Sequence, residues 1–436
     1  MAHSISKDIY RRLGKKIDGL PLRVPWSQTL HEILKELYTP QEAEVLVRMP
    51  FGLSTLDEVA LSTRIDRDEL RSALEGLCEK GLVFDVWVED RYRYAPAPLI
   101  VGIFEMTMMR TRGELKYAEW ARLFHDYMNG DAFYEANLEH GEKVSALRVL
   151  PHEESIDEAS SVEILDYEKA TAIVEHSDRF SIGLCSCRHE KLHSGEKRCD
   201  VPLETCSSFG SSAELLTRHG MAREVSRSEM LENLARSREL KLVLSADNVR
   251  KNVGFICHCC GCCCNMLLGV SRHGFPNTIV TSTYISRIDE EKCTGCEKCA
   301  KACPVDAISM AETMDPASRR SRDPRVDESL CLGCGVCSLS CNKGAIRLVK
   351  REQRVLHPET TFERIILASL ERGTLQNQLF DDPGRISHQF VRAFVGGFLG
   401  LPPVKQALMS DRLLSRFLAA LKSGARRQGK TWLIEA

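Results

Sequence analysis

Aromatic residues are scarce in this 436-residue chain, at 6%, and neither sign of charge dominates, since 59 Lys and Arg face 61 Asp and Glu. A near-neutral chain has no overall basic field to draw it onto nucleic acid or anionic lipid, so a protein partner or small ligand is expected. No stretch reaches ~18 uninterrupted apolar residues, which excludes an ordinary transmembrane helix. The polar first eight residues lead into Arg11, Arg12, Lys15 and Lys16 without an apolar segment, so no secretion signal is expected. A Ser–His–Asp pattern, a P-loop and a complete G-x-G-x-x-G fingerprint are all missing. Flavin, nicotinamide and molybdenum chemistry therefore lack a sequence signature.

What the chain does have is 19 cysteines and an apolar fraction of 43%. The thiols cluster at short, regular spacings instead of being spread like a secreted disulfide framework, which points to metal binding in a thiol-reducing, cytoplasmic setting. The length allows roughly two to four domains.

The expected fold class is α+β and multidomain. Residues 1–97 read as a helical lead-in followed by a winged-helix-like domain. Helices are expected over 40–49, 55–61 and 67–80, then a strand over 82–88, a turn at Glu89-Asp90-Arg91 and a returning strand at Tyr92-Arg93-Tyr94. The third helix carries Asp68, Glu69, Glu75 and Glu79 against Arg67, Arg71 and Lys80, a poor match for phosphate recognition, so a structural or protein-docking role is expected. Cys78 on that helix reads as a small core residue. Residues 98–160 form a helical connecting region, with helices over 99–110 and 116–138, a strand over 144–150 and an acidic surface linker over 151–161. A cysteine-rich metal-binding domain fills 161–283, with helices over 167–176 and 226–238. A ferredoxin-like domain fills 284–350, and a helical C-terminal region 351–436. In that last region Arg412, Arg416, Lys422, Arg426 and Arg427 flank apolar positions. A helical pair clasping the rest of the chain or a partner is the preferred reading there, with peripheral membrane contact as the other.

The decisive feature is a repeat. Cys293, Cys296, Cys299 and Cys303 recur 38 positions later as Cys331, Cys334, Cys337 and Cys341, each run spaced C-x2-C-x2-C-x3-C and each preceded by an Asp (Asp289, Asp327) and followed by Ala-Ile (Ala307-Ile308, Ala345-Ile346). A cubane needs four soft thiolates at the corners of a tetrahedron, and one tight loop can present only three. Gly295 and Gly333 free the loop backbone to approach the cluster. Residues 284–350 thus resemble the bacterial-type dicluster ferredoxins that bind two [4Fe–4S] clusters. The resemblance implies that one cluster takes Cys293, Cys296, Cys299 and Cys341 and the other Cys331, Cys334, Cys337 and Cys303. A structural zinc site is the weaker alternative, because zinc sites usually pair C-x2-C knuckles. Asn342 replaces a proline common after the second run, and 315–325 form a basic inter-motif insertion suited to docking an acidic partner.

Upstream lie Cys185, Cys187, Cys199 and Cys206, and then Cys257, Cys259, Cys260, Cys262, Cys263 and Cys264. The first four make a candidate four-thiolate set. Cys257, Cys260 and Cys263 have the x2 spacing of a three-ligand loop, but Cys259 and Cys262 share that interval, so the ligands stay open. The whole chain is similar to larger iron–sulfur proteins of anaerobes that place a C-x-C-R and CxCCxCCC domain before a dicluster ferredoxin. That resemblance implies metal binding: one or two further [4Fe–4S] clusters, or zinc. Arg188 and His258 either tune the charge of these thiolates or are merely solvated.

The expected function is one-electron transfer, as a carrier or a non-catalytic subunit relaying electrons to or from an oxidoreductase complex. A redox-sensing regulator using the winged helix, and an oxidoreductase with a substrate-binding cluster in the middle domain, are the alternatives.

Overall fold

A computed structural model of the chain describes residues 2–137, 144–157, 165–274, 279–313, 320–352, 357–380, 392, 395–399 and 401–435. Contacts divide it into two compact units. One comprises Met1–Val144, Leu215–Met221 and Pro358–Ala436, and the other Ser145–Glu214 and Ala222–His357.

The first unit opens with helices Ala2–Asp18 and Gln28–Leu37, then Pro40–Arg48, Leu56–Thr63 and Arg67–Glu79. Thr39 and Thr55 each close a reciprocal capping box, with Glu42 and Glu58, which fixes where two of these helices begin. A three-stranded sheet follows, ordered Ser54–Thr55, Arg91–Pro96, Val83–Val88. Its hairpin turns through Glu89 and Asp90, both at positive φ. Cys78 is buried, as expected.

Helix is not continuous over 99–110. Val101 has φ 58° and Ile100 is extended, so the regular helix is Phe104–Met109. Glu105 takes the Gly102 N–H, at 2.9 Å, that a continuous helix would have used. The 116–138 helix likewise divides at Gly130 into Tyr117–Asn129 and Asp131–Asn137, with Leu138 outside the described residues. The C-terminal helices Pro402–Leu408 and Asp411–Arg427 turn Val404, Leu408, Phe417 and Leu421 onto Phe362, Ile366 and Leu370 of helix Thr361–Glu371. Part of their apolar surface packs on this core, which lies within the C-terminal region itself; residues 393, 394 and 400 of the Gly-rich interruption lie outside the described residues. No helix among the described residues is long and apolar enough to cross a membrane.

The second unit is built on a seven-stranded sheet. Its order is Ile279–Val280, Leu147–Leu150, Val243–Asp247, Phe255–Cys259, Glu204–Phe209, Phe180–Leu184, Ala222–Glu224. All pairs are antiparallel except the first. Phe180, Ile182, Phe209, Leu244, Ala246 and Ile256 share one face with Ile173 and Val174 of helix Ala170–Glu175 and Met230 and Leu234 of helix Arg227–Glu239. Ser226 caps the latter. The expected helix over 167–176 is shorter, because a single 3-10 turn, Asp166–Glu168, precedes it.

The same unit holds the repeat as strand–helix–strand twice over: Tyr284–Ile288, Lys298–Ala302 and Ile308–Glu312, then Arg322–Val326, Val336–Leu339 and Ile346–Lys350. The outer strands pair with each other, and so do the inner ones, all antiparallel. Each half therefore completes the other.

Candidate metal centres

In the repeat, equivalent residues make equivalent bonds. Cys293 N–H donates to Asp289 O at 3.0 Å and Cys331 N–H to Asp327 O at 2.9 Å. Asp289 N–H reaches across to Ala345 O and Asp327 N–H to Ala307 O, both at 2.8 Å. The last cysteine of each run accepts from the alanine four residues on: Ala307 N–H to Cys303 Sγ at 3.2 Å and Ala345 N–H to Cys341 Sγ at 3.3 Å. Such N–H donors stabilise a sulfur that carries negative charge. Gly295 and Gly333 have φ +67° and +66°. A Cβ on Gly333 would lie 2.1 Å from the Tyr284 carbonyl oxygen, so this loop requires glycine.

Cys299 and Cys337 pack with Ile308 and Ile346, and Cys303 and Cys341 border that same core, so both runs converge on one apolar centre. Cys303 feels the charge of Cys331 and in turn acts on Cys334 and Cys337, whereas Cys299 feels Cys293 and Cys296. Cys303 thus lies within electrostatic reach of the opposite run. These soft thiols, with N–H donors aimed at their sulfurs, fit an iron–sulfur cluster, which would supply one-electron chemistry when bound.

The two runs differ in exposure. Cys296 is exposed and Cys293 partly so, while Cys331, Cys334 and Cys337 are buried. Burial pushes the Cys337 thiol up to about 12, against a 3.1 Å contact with the Ser286 hydroxyl. A backbone N–H at Lys298 instead holds Cys296 below its usual value.

The acidic linker expected over 151–161 is not a surface linker in its described part. His152, Ser155 and Ile156 are buried. His152 N–H donates to Cys334 O at 3.0 Å, Ser155 Oγ to Gly335 O at 3.1 Å and Asp157 N–H to Leu348 O at 2.9 Å. The second cysteine loop supplies free carbonyls, and this segment satisfies them. In the 315–325 insertion, 315–319 lie outside the described residues. Arg320 donates to Cys293 O at 3.2 Å and pairs with Asp323, and Arg322 pairs with Glu297, so these charges are engaged within the chain.

The ten upstream cysteines divide by sheet geometry. Along strand Phe255–Cys259, Ile256 and His258 point to the helix-covered face and Cys257 and Cys259 to the other. The register Ser207↔Ile256 sets Cys206 beside Cys257 on that second face. Cys206 interacts with Cys257, Cys257 with Cys259, Cys259 with Cys264, and Cys264 with Cys187, while Cys185 feels Cys187 and Cys206. Cys185 and Cys264 are the N-cap residues of helices Ser186–His193 and Asn265–His273. Ser245, opposite Cys257 in the register, has a buried hydroxyl with no hydrogen-bond partner on this face.

Cys199, Cys260, Cys262 and Cys263 form the other group, all four sulfurs lying within 4.8 Å of one another. Cys199 therefore does not join Cys185, Cys187 and Cys206, and Cys257 does not join Cys260 and Cys263. The x2 spacing misleads because the strand ends at Cys259 and the chain turns, Cys263 and Cys264 N–H both donating to Cys260 O. Cys260 is held near 4 by the Cys263 thiol and by Arg188, against the effect of burial.

Arg188 and His258 are not solvated. Arg188 is fully buried and donates to Pro202 O at 2.7 Å, Thr205 Oγ1 at 2.9 Å and His258 O at 2.7 Å. Burial works against its charge, but Cys185 and Cys260 outweigh it and hold its pKa above the ordinary value. It thereby serves both thiol groups. The His258 ring faces away from the sulfurs, between Ser207 Oγ at 2.8 Å and Ser237 Oγ at 2.6 Å. Burial lowers it to about 3, so it is a neutral structural imidazole.

No solved structure matches the chain. A curated relative from Haemophilus ducreyi, one of the subunits of an ion-translocating oxidoreductase complex, is 48% identical over 42 residues, or 10% of this chain. The match spans about 20% of that relative's length. The 4Fe-4S dicluster domain family matches residues 292–345, the segment that carries both cysteine runs, and this match supports iron–sulfur electron transfer there.

Proposed function

We propose that the protein is a one-electron carrier or an electron-transfer subunit, relaying electrons through two [4Fe–4S] clusters to or from an oxidoreductase complex in a reducing cytoplasm. One cluster takes Cys293, Cys296, Cys299 and Cys341, and the other Cys331, Cys334, Cys337 and Cys303. The observation that carries the reading is that each half bonds to the other, Asp289 N–H to Ala345 O and Asp327 N–H to Ala307 O, with Cys303 and Cys341 bordering the core shared by Cys299 and Cys337. A cubane spreads an added electron over several irons, so transfer asks no acid or base of the protein. The exposed Cys296 side is the entry from a partner, and the buried second cluster passes the electron toward the cysteine-rich domain packed on it. Similarity to one component of such a complex supports a partner of that class.

The N-terminal helices and three-stranded sheet act as a winged helix that docks protein. Arg67 is paired with Asp57 and Arg71 lies 3.9 Å from Asp68, which leaves the third helix little free charge for phosphate.

The test is anaerobic purification with iron and sulfide counts and electron paramagnetic resonance after dithionite. Cys303→Ala and Cys341→Ala should each remove about four irons per chain, from different clusters. Loss of one and the same signal in both variants would contradict the ligand exchange. About eight irons in the unmodified chain leaves the six-thiol group without a cubane, and about twelve gives it one.

A further inference from the structure

Three of the ten upstream thiols come from one turn and a fourth from a distant loop. Cys199 Sγ lies 3.7 Å from Cys260 Sγ and 3.8 Å from Cys263 Sγ, and Cys262 Sγ 3.5 Å from Cys263 Sγ. Four thiolates around one ion at a zinc–sulfur distance of about 2.3 Å stand about 3.8 Å apart along the tetrahedron's edges. The observed separations are those of a single-ion tetrahedron. A cubane needs a wider set, because each thiolate sits outside a different iron. Among the described residues the ferredoxin cysteines form no comparably compact group.

Cys260 and Cys263 are buried against Val201 and Leu242, and the half-buried Cys199 and Cys262 pack on the same cluster. A tetrahedron whose four positions are all filled by protein thiolates is the structural zinc arrangement. Zinc also outcompetes ferrous iron for a given ligand set.

We propose that Cys199, Cys260, Cys262 and Cys263 bind one Zn²⁺ in a tetrahedral, structural, redox-silent site. Binding releases the thiol protons, and Arg188 offsets part of the net negative charge of the filled site. The ion ties the 260–264 turn to the loop carrying Cys199. That turn contains Gly261, which packs on Pro304 beside Cys303, so the zinc holds the surface on which the end of the first ferredoxin run rests. The inference does not depend on the electron-transfer reading, since it concerns other cysteines and another metal.

The test uses the anaerobically purified full chain. Zinc analysis should give about one zinc per chain, and X-ray absorption at the zinc edge should show four sulfurs at about 2.3 Å without a nearby second metal. Cys199→Ser and Cys262→Ser should each abolish most of the zinc while the ferredoxin resonance signals persist. Loss of about four irons with the same substitutions, iron in place of zinc in the tetrahedron, or zinc unaffected by both changes would overturn the proposal. Should neither variant fold, the absorption spectrum of the unmodified protein decides alone: oxygen or nitrogen ligands, or no zinc, sink it.

Discussion

Gly261 meets Pro304 so closely that a Cβ on Gly261 would lie 2.8 Å from the Pro304 carbonyl oxygen. The turn that carries Cys260, Cys262 and Cys263 thus rests on the residue after Cys303, and the cysteine-rich part and the ferredoxin repeat share one packed surface.

Gly261→Ala should therefore disturb the cluster that uses Cys303 before the one that uses Cys296. Spin counts after dithionite are expected to fall for one of the two signals. Gly76→Ala is the control, since a Cβ there meets nothing within 4 Å, and a helix-interior exchange of this kind stabilises by about 0.5–1 kcal/mol. Equal loss of both signals would contradict the contact's specificity.

Gly333→Ala is expected to be far more damaging. The new methyl would strike the Tyr284 backbone oxygen at 2.1 Å and the Ser282 hydroxyl at 2.3 Å, in a left-handed conformation. A strained backbone position costs about 1–3 kcal/mol before any clash is counted. Iron content after reconstitution measures the effect; full occupancy would refute it.

The exposure difference between the cysteine runs predicts unequal oxygen sensitivity. Cys296 is exposed and Cys334 buried, so brief aeration should first destroy the cluster assigned to Cys293, Cys296, Cys299 and Cys341. Timed freeze-quenched resonance spectra follow the two losses. Simultaneous decay would count against the assignment.

Arg188→Met should cost about 3–5 kcal/mol, the range for breaking a buried charge pair by removing one partner. The Pro202 and His258 carbonyls lose their donor, and two thiol groups lose a shared cation. Arg188→Lys restores charge without the planar fork and should recover only part. Denaturant midpoints and total metal content report both.

In the other unit, burial raises the Glu105 carboxyl to about 7, with the Gly102 N–H working the opposite way. The folded state then holds a proton the unfolded state has released between about pH 4.5 and 7, so stability falls as pH rises through that window. Glu105→Gln should flatten the profile and gain about 1–2 kcal/mol at pH 8, after allowance for partial exposure. An unchanged slope in thermal melts across pH 5–8 would exclude Glu105 as its source.

The helices capped by Asp66 and Ser226 were legible because a cap and the Glu three positions on are local facts. Helix 99–110 was not, since a left-handed Val101 and the capture of the Gly102 N–H by Glu105 are events that periodicity does not register. His258 was equally opaque: its partners Ser207 and Ser237 lie on other elements.

The sequence by itself determined that two equivalent cysteine runs exist and that each presents three thiols, because a C-x2-C-x2-C loop is closed by its own backbone. Only the tertiary structure decided how the other ten divide. Cys257 and Cys259 face one way because a strand alternates, Cys260, Cys262 and Cys263 face another because the strand stops and turns, and Cys199 joins them from 61 residues upstream of Cys260. Spacing along a chain fixes neighbours within a turn; which sulfurs meet across a sheet is set by register, and register belongs to the fold.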